Sequence, residues 1–244
     1  MTGLLALLVG ASSAVEPLAD VIARGRPALR RAVLAAGGLA VVLAGLILAL
    51  GPLGAGAPGL LACLLVPPAW IVGEALRGSR AADRRAALRV AARCGLAFAV
   101  LALIRLMGRW APAGIAETAT AWTGVLLFMT EPANRLVNAV LVLAGVPGAA
   151  AGPDGGAGAP SDANGTSGTP LRGGHWIGAL ERILLVLLAM AGAEIPAAVI
   201  IAAKGVVRFP EISQPGGRAA EVFLIGSMAS WILAVLGIAF LRAV

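Results

Sequence analysis

The chain has 244 residues, of which 59% are hydrophobic and only 13% are charged. Soluble domains use about 45–50% apolar residues, so this composition excludes an ordinary soluble domain. It predicts an all-α, polytopic membrane protein with about six to seven transmembrane helices. The net charge of +7 comes from arginines in short clusters between apolar runs. This pattern is typical of cytoplasmic loops beside anionic headgroups, so the lipid bilayer is the expected partner and nucleic acid is not.

The first 145 residues contain apolar runs that predict five spans, since about 20 apolar residues cross a bilayer. The runs lie near 3–22, 32–51, 59–76, 94–108 and 113–130. No Lys or Arg precedes the first run, so we do not expect a signal peptide there. In the second run, Ala36, Ala40 and Ala44 form a stripe of small residues that lets another helix approach closely. Pro67 and Pro68 predict a kink in the third run.

Two other segments of this half have a charge pattern of their own. Residues 77–93 carry six arginines against Asp83, which predicts an amphipathic basic helix on the inner membrane surface. Its expected contacts are anionic headgroups or an acidic partner, and the residues concerned are Arg80, Arg84, Arg85 and Arg89. Residues 131–144 are short and amphipathic, so they predict an interfacial helix or a helix extension.

A Gly-, Pro- and Ala-rich stretch, residues 146–174, separates these helices from the rest of the chain. Its composition predicts a flexible linker without a core. It holds no GxxxxGK[ST] pattern, so we do not expect it to bind a nucleotide. Residues 175–244 follow as a C-terminal module of membrane helices, with a last span near 220–242.

The centre of the C-terminal module is the run 183–203, in which Glu194 is the single charged residue and Pro196 follows it. A carboxylate inside a span costs about 2.5–3.5 kcal/mol on insertion scales, so it normally has a partner or faces a cavity. Two arrangements fit the run. It crosses the bilayer as one Pro-kinked helix, or it turns at Ala193–Glu194 and returns as a re-entrant hairpin. The hairpin keeps Lys204 and Arg208 on the cytoplasmic side, as the positive-inside rule prefers.

The last 70 residues or so resemble the C-terminal part of an uncharacterised group of bacterial multi-spanning membrane proteins. That group has an Ile-Gly-x-Leu-Glu-Arg opening, an Ala-Ala-Lys-x-x-x-Arg-Phe centre, and an Ala-Glu, an Ile-Gly and a Ser in the last helix. It has Gln where this chain has Glu194. The resemblance implies a bacterial inner-membrane protein and no known activity. The matching residues are Gly178, Glu181, Arg182, Lys204, Arg208, Phe209, Glu221, Gly226 and Ser230.

Opposite charges in this module predict ion pairs. Lys204 and Arg208 are four residues apart and share a helical face, while Glu181, Arg182 and Glu221 supply partners and a further cation. One interpretation is a structural cluster that clamps the last helices at the inner interface. The other is a binding site or an ion path that uses Glu194 as its carboxylate.

Two functions follow from these interpretations. In the first, the protein binds or translocates a small solute or ion, and Glu194, Pro196 and Lys204 line a cavity. In the second, it is a structural or assembly protein that engages a membrane-protein partner or a second copy through its basic surface and linker.

Enzyme signatures are not found in the sequence. His175 is the single histidine, there is no HExxH, and the aspartates lie at helix ends or in loops. Cys63 and Cys94 are isolated and predict neither a disulfide nor a zinc site. We therefore expect neither catalysis nor a cofactor.

Overall fold

The computed structural model describes residues 1–23, 26–75, 84–107, 114–146, 174–212 and 218–244. Each segment of regular secondary structure in these ranges is helical. The helices are α1 (Thr2–Ala23), α2 (Pro27–Leu50), α3 (Gly56–Ala75), α4 (Arg84–Met107), α5 (Ile115–Phe128), α6 (Glu131–Leu143), α7 (Gly174–Met190), α8 (Glu194–Ile212) and α9 (Arg218–Ala243).

Among the described residues, five helices are long and apolar enough to cross a membrane: α1, α2, α3, α4 and α9. The α5–α6 pair passes the same test only jointly, with a bend of 49° between the two helices, and would give a sixth span. The expectation of a helical membrane protein is therefore confirmed, and the N-terminal run 3–22 is one of the candidate spans. The predicted linker lies outside the described residues, apart from its two ends.

The sequence predicts a separate surface helix for the basic stretch. In the structure, the described part of this stretch belongs to a longer helix. Residues 84–93 form the first turns of α4 and continue into the apolar run without a break. The run 94–108 alone is short for a span, since 15 residues of helix cover about 23 Å. Extending the helix back to Arg84 gives 24 residues, which is enough to cross a bilayer.

The chain divides into two compact units. The first comprises Met1–Ser79, Arg93–Pro132 and Ala239–Val244. Its central helix is α1, which contacts α2, α3 and α5. Leu4 and Leu8 of α1 are almost completely buried and pack with Ala49 and Cys63. An apolar run that looked short in sequence therefore forms the core of this unit.

Glycines allow α1 and α5 to approach closely. A Cβ atom at Gly124 of α5 would lie 2.3 Å from the backbone carbon of Ala6, and one at Gly10 would lie 2.3 Å from the oxygen of Gly124. In α2, Gly37 and Gly45 face Val15 and Leu8 in the same way. The predicted stripe, Ala36, Ala40 and Ala44, instead lies exposed on the opposite side of α2.

The second unit comprises Arg80–Ala92 and Ala133–Ile238. Within it, α7 and α8 form an antiparallel hairpin whose turn covers residues 191–193. Gly192 adopts φ +74°, and its amide donates to the oxygen of Ala189 while the amide of Ala193 donates to that of Leu188. This pair of bonds is a Schellman motif, which ends a helix at a left-handed glycine. Pro196 lies in the first turn of α8, where its missing amide proton costs little.

The structure therefore excludes one continuous Pro-kinked helix through 183–203. The physical reason is the left-handed Gly192, since a positive φ at that residue stops α7 before the proline is reached. The hairpin arms are also longer than the sequence indicated. The helices α7 and α8 contain 17 and 19 residues, so they are about 26 and 28 Å long.

Candidate functional site

Glu181 of α7 lies at the centre of a polar cluster in the second unit. The residue is only 9% exposed. Its Oε2 atom forms an ion pair with Lys204 Nζ of α8, and its Oε1 atom accepts a hydrogen bond of 3.1 Å from Trp231 Nε1 of α9. One carboxylate thus links three helices through both of its oxygens.

Lys204 is held by its carboxylate partner and by two aromatic rings. Its Nζ atom lies 5.9 Å from the ring centroid of Trp231 and 6.0 Å from that of Phe223. Ammonium groups at such distances are attracted to ring faces by about 0.5–1 kcal/mol at exposed sites, and more when desolvated. The side chain of Lys204 remains 25% exposed, so the cluster is not sealed.

Arg182 lies beside Glu181 and is only 2% exposed. Its Nη1 atom donates to Ser230 Oγ of α9 at 3.0 Å, and its Nη2 atom donates to Asn134 Oδ1 of α6 at 2.6 Å. Gly178 lies one turn earlier on α7, where a Cβ atom would be 3.4 Å from both Arg182 Nη1 and Asn134 Oδ1. The small residue at this position leaves room for the guanidinium between α6 and α7.

The cluster lies near the middle of its helices. Glu181 and Arg182 are close to the centre of α7, Lys204 to the centre of α8, and Ser230 and Trp231 to the centre of α9. The cluster therefore does not lie at helix ends, and a clamp at the inner interface stays a prediction. Neither α7 nor α8 is among the five candidate spans: α7 has only 17 residues, and α8 carries four charged residues, Glu194, Lys204, Arg208 and Glu211.

Two of the other predicted site residues, Glu194 and Glu221, are exposed. Glu194 is exposed at the start of α8, about 15 Å along the helix axis from Lys204 at 1.5 Å per residue. A cavity lined jointly by Glu194, Pro196 and Lys204 stays a prediction. Glu221 is exposed near the start of α9. Arg208 belongs to α8, but its side chain lies outside the described part of the structure.

The basic residues of α4 form a surface. Arg84, Arg85 and Arg89 are exposed, whereas Ala86 and Val90 on the other side of the same turns are buried. Arg80 lies outside the described residues. The arrangement fits contact between the arginines and anionic groups.

Sequence reasoning missed Asn134, which provides an acceptor for Arg182. The available signal was an amide side chain in a short amphipathic segment directly after Glu131–Pro132.

Sequence reasoning also missed an ion-pair network in the first unit. Arg30 of α2 contacts Glu16 Oε1 at 2.9 Å and Asp20 Oδ1 at 2.6 Å, and both acids lie one turn apart on α1.

Another carboxylate that sequence reasoning missed stabilises the start of α1. Glu117 Oε1 of α5 accepts hydrogen bonds from the Thr2 amide at 3.0 Å and from Thr2 Oγ1 at 2.8 Å. Free amides at a helix N-terminus favour a negative charge, so this contact anchors α1 to α5. Its role is packing, and we do not assign it to the functional site.

The described residues contain no group of three His, Cys, Asp or Glu side chains that could hold a metal ion. Cys63 and Cys94 are both buried. The side chain of His175 lies outside the described part of the structure.

A scan against protein-family models found no match, and searches of curated proteins and of solved structures found none either. The resemblance of the last 70 residues to a bacterial membrane-protein group stays a prediction. Five of the residues that carry it meet in the polar cluster. They are Gly178, Glu181, Arg182, Lys204 and Ser230.

Proposed function

We propose that this protein is a multi-pass protein of the bacterial cytoplasmic membrane that binds and translocates a small solute or ion at the polar cluster of its C-terminal helices. The proposal contains no catalytic step. It places the site at Glu181, Arg182 and Lys204 and leaves Glu194 outside it.

The observation that carries the proposal is the position of the charges. Ionisable side chains in the interior of membrane helices are costly, and they commonly mark substrate or ion pathways. Here a carboxylate, an ammonium and a guanidinium lie near the centres of α7 and α8, level with the centre of the apolar helix α9.

Interrupted helices support the same interpretation. Membrane transporters often build their sites near the bilayer midplane from discontinuous helices. This chain has one break at residues 191–193 and another between α5 and α6, where the bend is 49°. Asn134, in the helix that follows the second break, contacts Arg182 in the cluster.

A topology follows from the hairpin. If α7 and α8 both cross, the linker and the α8–α9 connection lie on the cytoplasmic side and the 191–193 turn lies outside. Arg208 and Arg218 then remain inside, in agreement with the positive-inside rule. Glu194 lies at the outer surface, where a carboxylate needs no buried partner.

The test is flux into proteoliposomes that contain the purified full-length protein. Radiolabelled methylammonium and dyes that report protons, potassium and chloride would serve as probes. We expect flux of at least one probe in the wild type and a loss of about tenfold or more in Glu181→Gln, since the cluster loses its carboxylate. Glu194→Gln is the matched control and should keep the wild-type rate. Equal flux in empty and protein-containing liposomes would contradict the proposal.

A second candidate function is a structural or assembly protein, and one observation favours it. Arg84, Arg85 and Arg89 are exposed on the first turns of α4, where they can contact anionic lipid or an acidic partner. For this function, replacing all three by Gln should release a partner that copurifies with the wild type from gently solubilised membranes. Glu194→Gln should have no effect on copurification.

A further inference from the structure

We propose that Glu181, Trp231 and Phe223 form a binding site for a small alkylammonium ion and that Lys204 is its tethered competitor. This inference rests on the proposed function and names the ligand class of the same site. In the structure, the Lys204 ammonium occupies the position between the Glu181 carboxylate and the two rings.

The chemistry of the three groups favours an organic ammonium. A carboxylate and aromatic faces together recognise an –NH₃⁺ group, because the rings attract the cation while the carboxylate accepts its hydrogen bonds. Hard metal cations instead take about six or more oxygen ligands. The groups described around the Glu181–Lys204 pair are the Trp231 and Phe223 rings and the Trp231 indole N–H, which donates, and none of these three supplies an oxygen ligand.

The Lys204 side chain can move away from Glu181 toward solvent. Its side chain is 25% exposed, so part of it already faces solvent. The four-carbon stem of a lysine is flexible and keeps its ammonium hydrated when the side chain turns outward. An arriving ammonium ion can therefore replace Lys204 at Glu181 without leaving the carboxylate buried and unpaired.

The test is equilibrium binding of radiolabelled methylammonium to the purified full-length protein in detergent. Lys204→Ala removes the competitor and should bind methylammonium on the order of tenfold more tightly than the wild type, since a tethered group competes at a high effective concentration. The double variant Lys204→Ala/Glu181→Gln is the matched control and should lose this binding. Excess potassium should not displace the ligand from Lys204→Ala.

Two outcomes would overturn the inference: equal methylammonium binding in Lys204→Ala and in the double variant, or displacement by potassium as effective as by unlabelled methylammonium. If Lys204→Ala does not fold, the wild type and Glu181→Gln decide, because methylammonium should bind saturably to the first and not to the second. Binding without flux of any probe would contradict the translocation proposal and leave this site intact. Flux of other ions without methylammonium binding would contradict only the site.

Discussion

At the scale of single residues, the charged groups of the polar cluster are paired with hydrogen-bonding partners on neighbouring helices. The Glu181 carboxylate is engaged by Lys204 and Trp231, while Arg182 donates to Ser230 and Asn134. A buried ion pair adds little net stability compared with an apolar pair, because both ions lose their hydration. Removing one partner is different, since the remaining charge stays buried.

This asymmetry gives a prediction for Glu181 and Lys204. Lys204→Met should destabilise the protein by about 3–5 kcal/mol, because it leaves the buried Glu181 carboxylate unpaired, whereas the paired variant Glu181→Gln/Lys204→Met should lose clearly less. The measurement is thermal unfolding of the detergent-solubilised variants, followed by tryptophan fluorescence. Similar losses in the single and the paired variant would show that the ion pair is not buried as described.

Arg182 gives a second prediction at this scale. Its guanidinium bonds Ser230 and Asn134 with separate nitrogens, and Lys presents only one point charge. Arg182→Lys should therefore lower the unfolding temperature, although it keeps the charge. Arg89→Lys, on the exposed side of α4, is the control and should change it little. Equal unfolding temperatures for the two variants would contradict the assigned geometry.

At the scale of the helices, close approach between α1 and α5 organises the first unit. The contact depends on Gly10 and Gly124, since a side chain at either position would collide with backbone atoms of the facing helix. Backbone cannot move aside as a flexible side chain can. Small residues at such contacts are the usual means of packing membrane helices.

Gly124→Ala should therefore destabilise the protein by about 1–3 kcal/mol, the usual cost of overpacking. Gly95→Ala in α4 is the matched control, because its Cβ would meet no atom within 4 Å. Alanine is the better helix former by about 1 kcal/mol, so the control should be neutral or slightly stabilising. The comparison is made by thermal unfolding, and equal effects of the two substitutions would refute close α1–α5 packing.

The approximate positions of many helices were predictable from the sequence. Apolar runs gave the approximate positions of the spans, because length and hydropathy are local properties. The pairing of helices was not predictable. Ala36 and Gly37 are both small, and only the three-dimensional packing shows that Gly37 faces Val15 while Ala36 is exposed.

The α7–α8 hairpin is a second feature that local sequence patterns could not predict, and it changes the candidate site. Glu194 stood out in the sequence as the lone charge within an apolar run, which suggested a buried carboxylate. The turn at Gly192 moves it to a helix start. The same turn brings Lys204 back to Glu181, a contact across 23 residues that no local pattern could reveal.

At the scale of the whole molecule, five of the described helices are long and apolar enough to cross a membrane, and we propose that the polar cluster lies at mid-depth among α7, α8 and α9. We further propose that this cluster can be reached from water while the 191–193 turn lies at the outer surface. A dry structural clamp with the same contacts would not admit water at the level of Lys204.

Substituted-cysteine accessibility tests this claim most directly, in a Cys63→Ala/Cys94→Ala background and oriented membrane vesicles. We predict that a membrane-impermeant thiol reagent labels Gly205→Cys, beside Lys204, and labels Ala193→Cys from the outer face only. Val199→Cys lies between them on the exposed apolar side of α8 and should not react. Labelling of Ala193→Cys without any labelling of Gly205→Cys would contradict the account and identify the cluster as a sealed clamp.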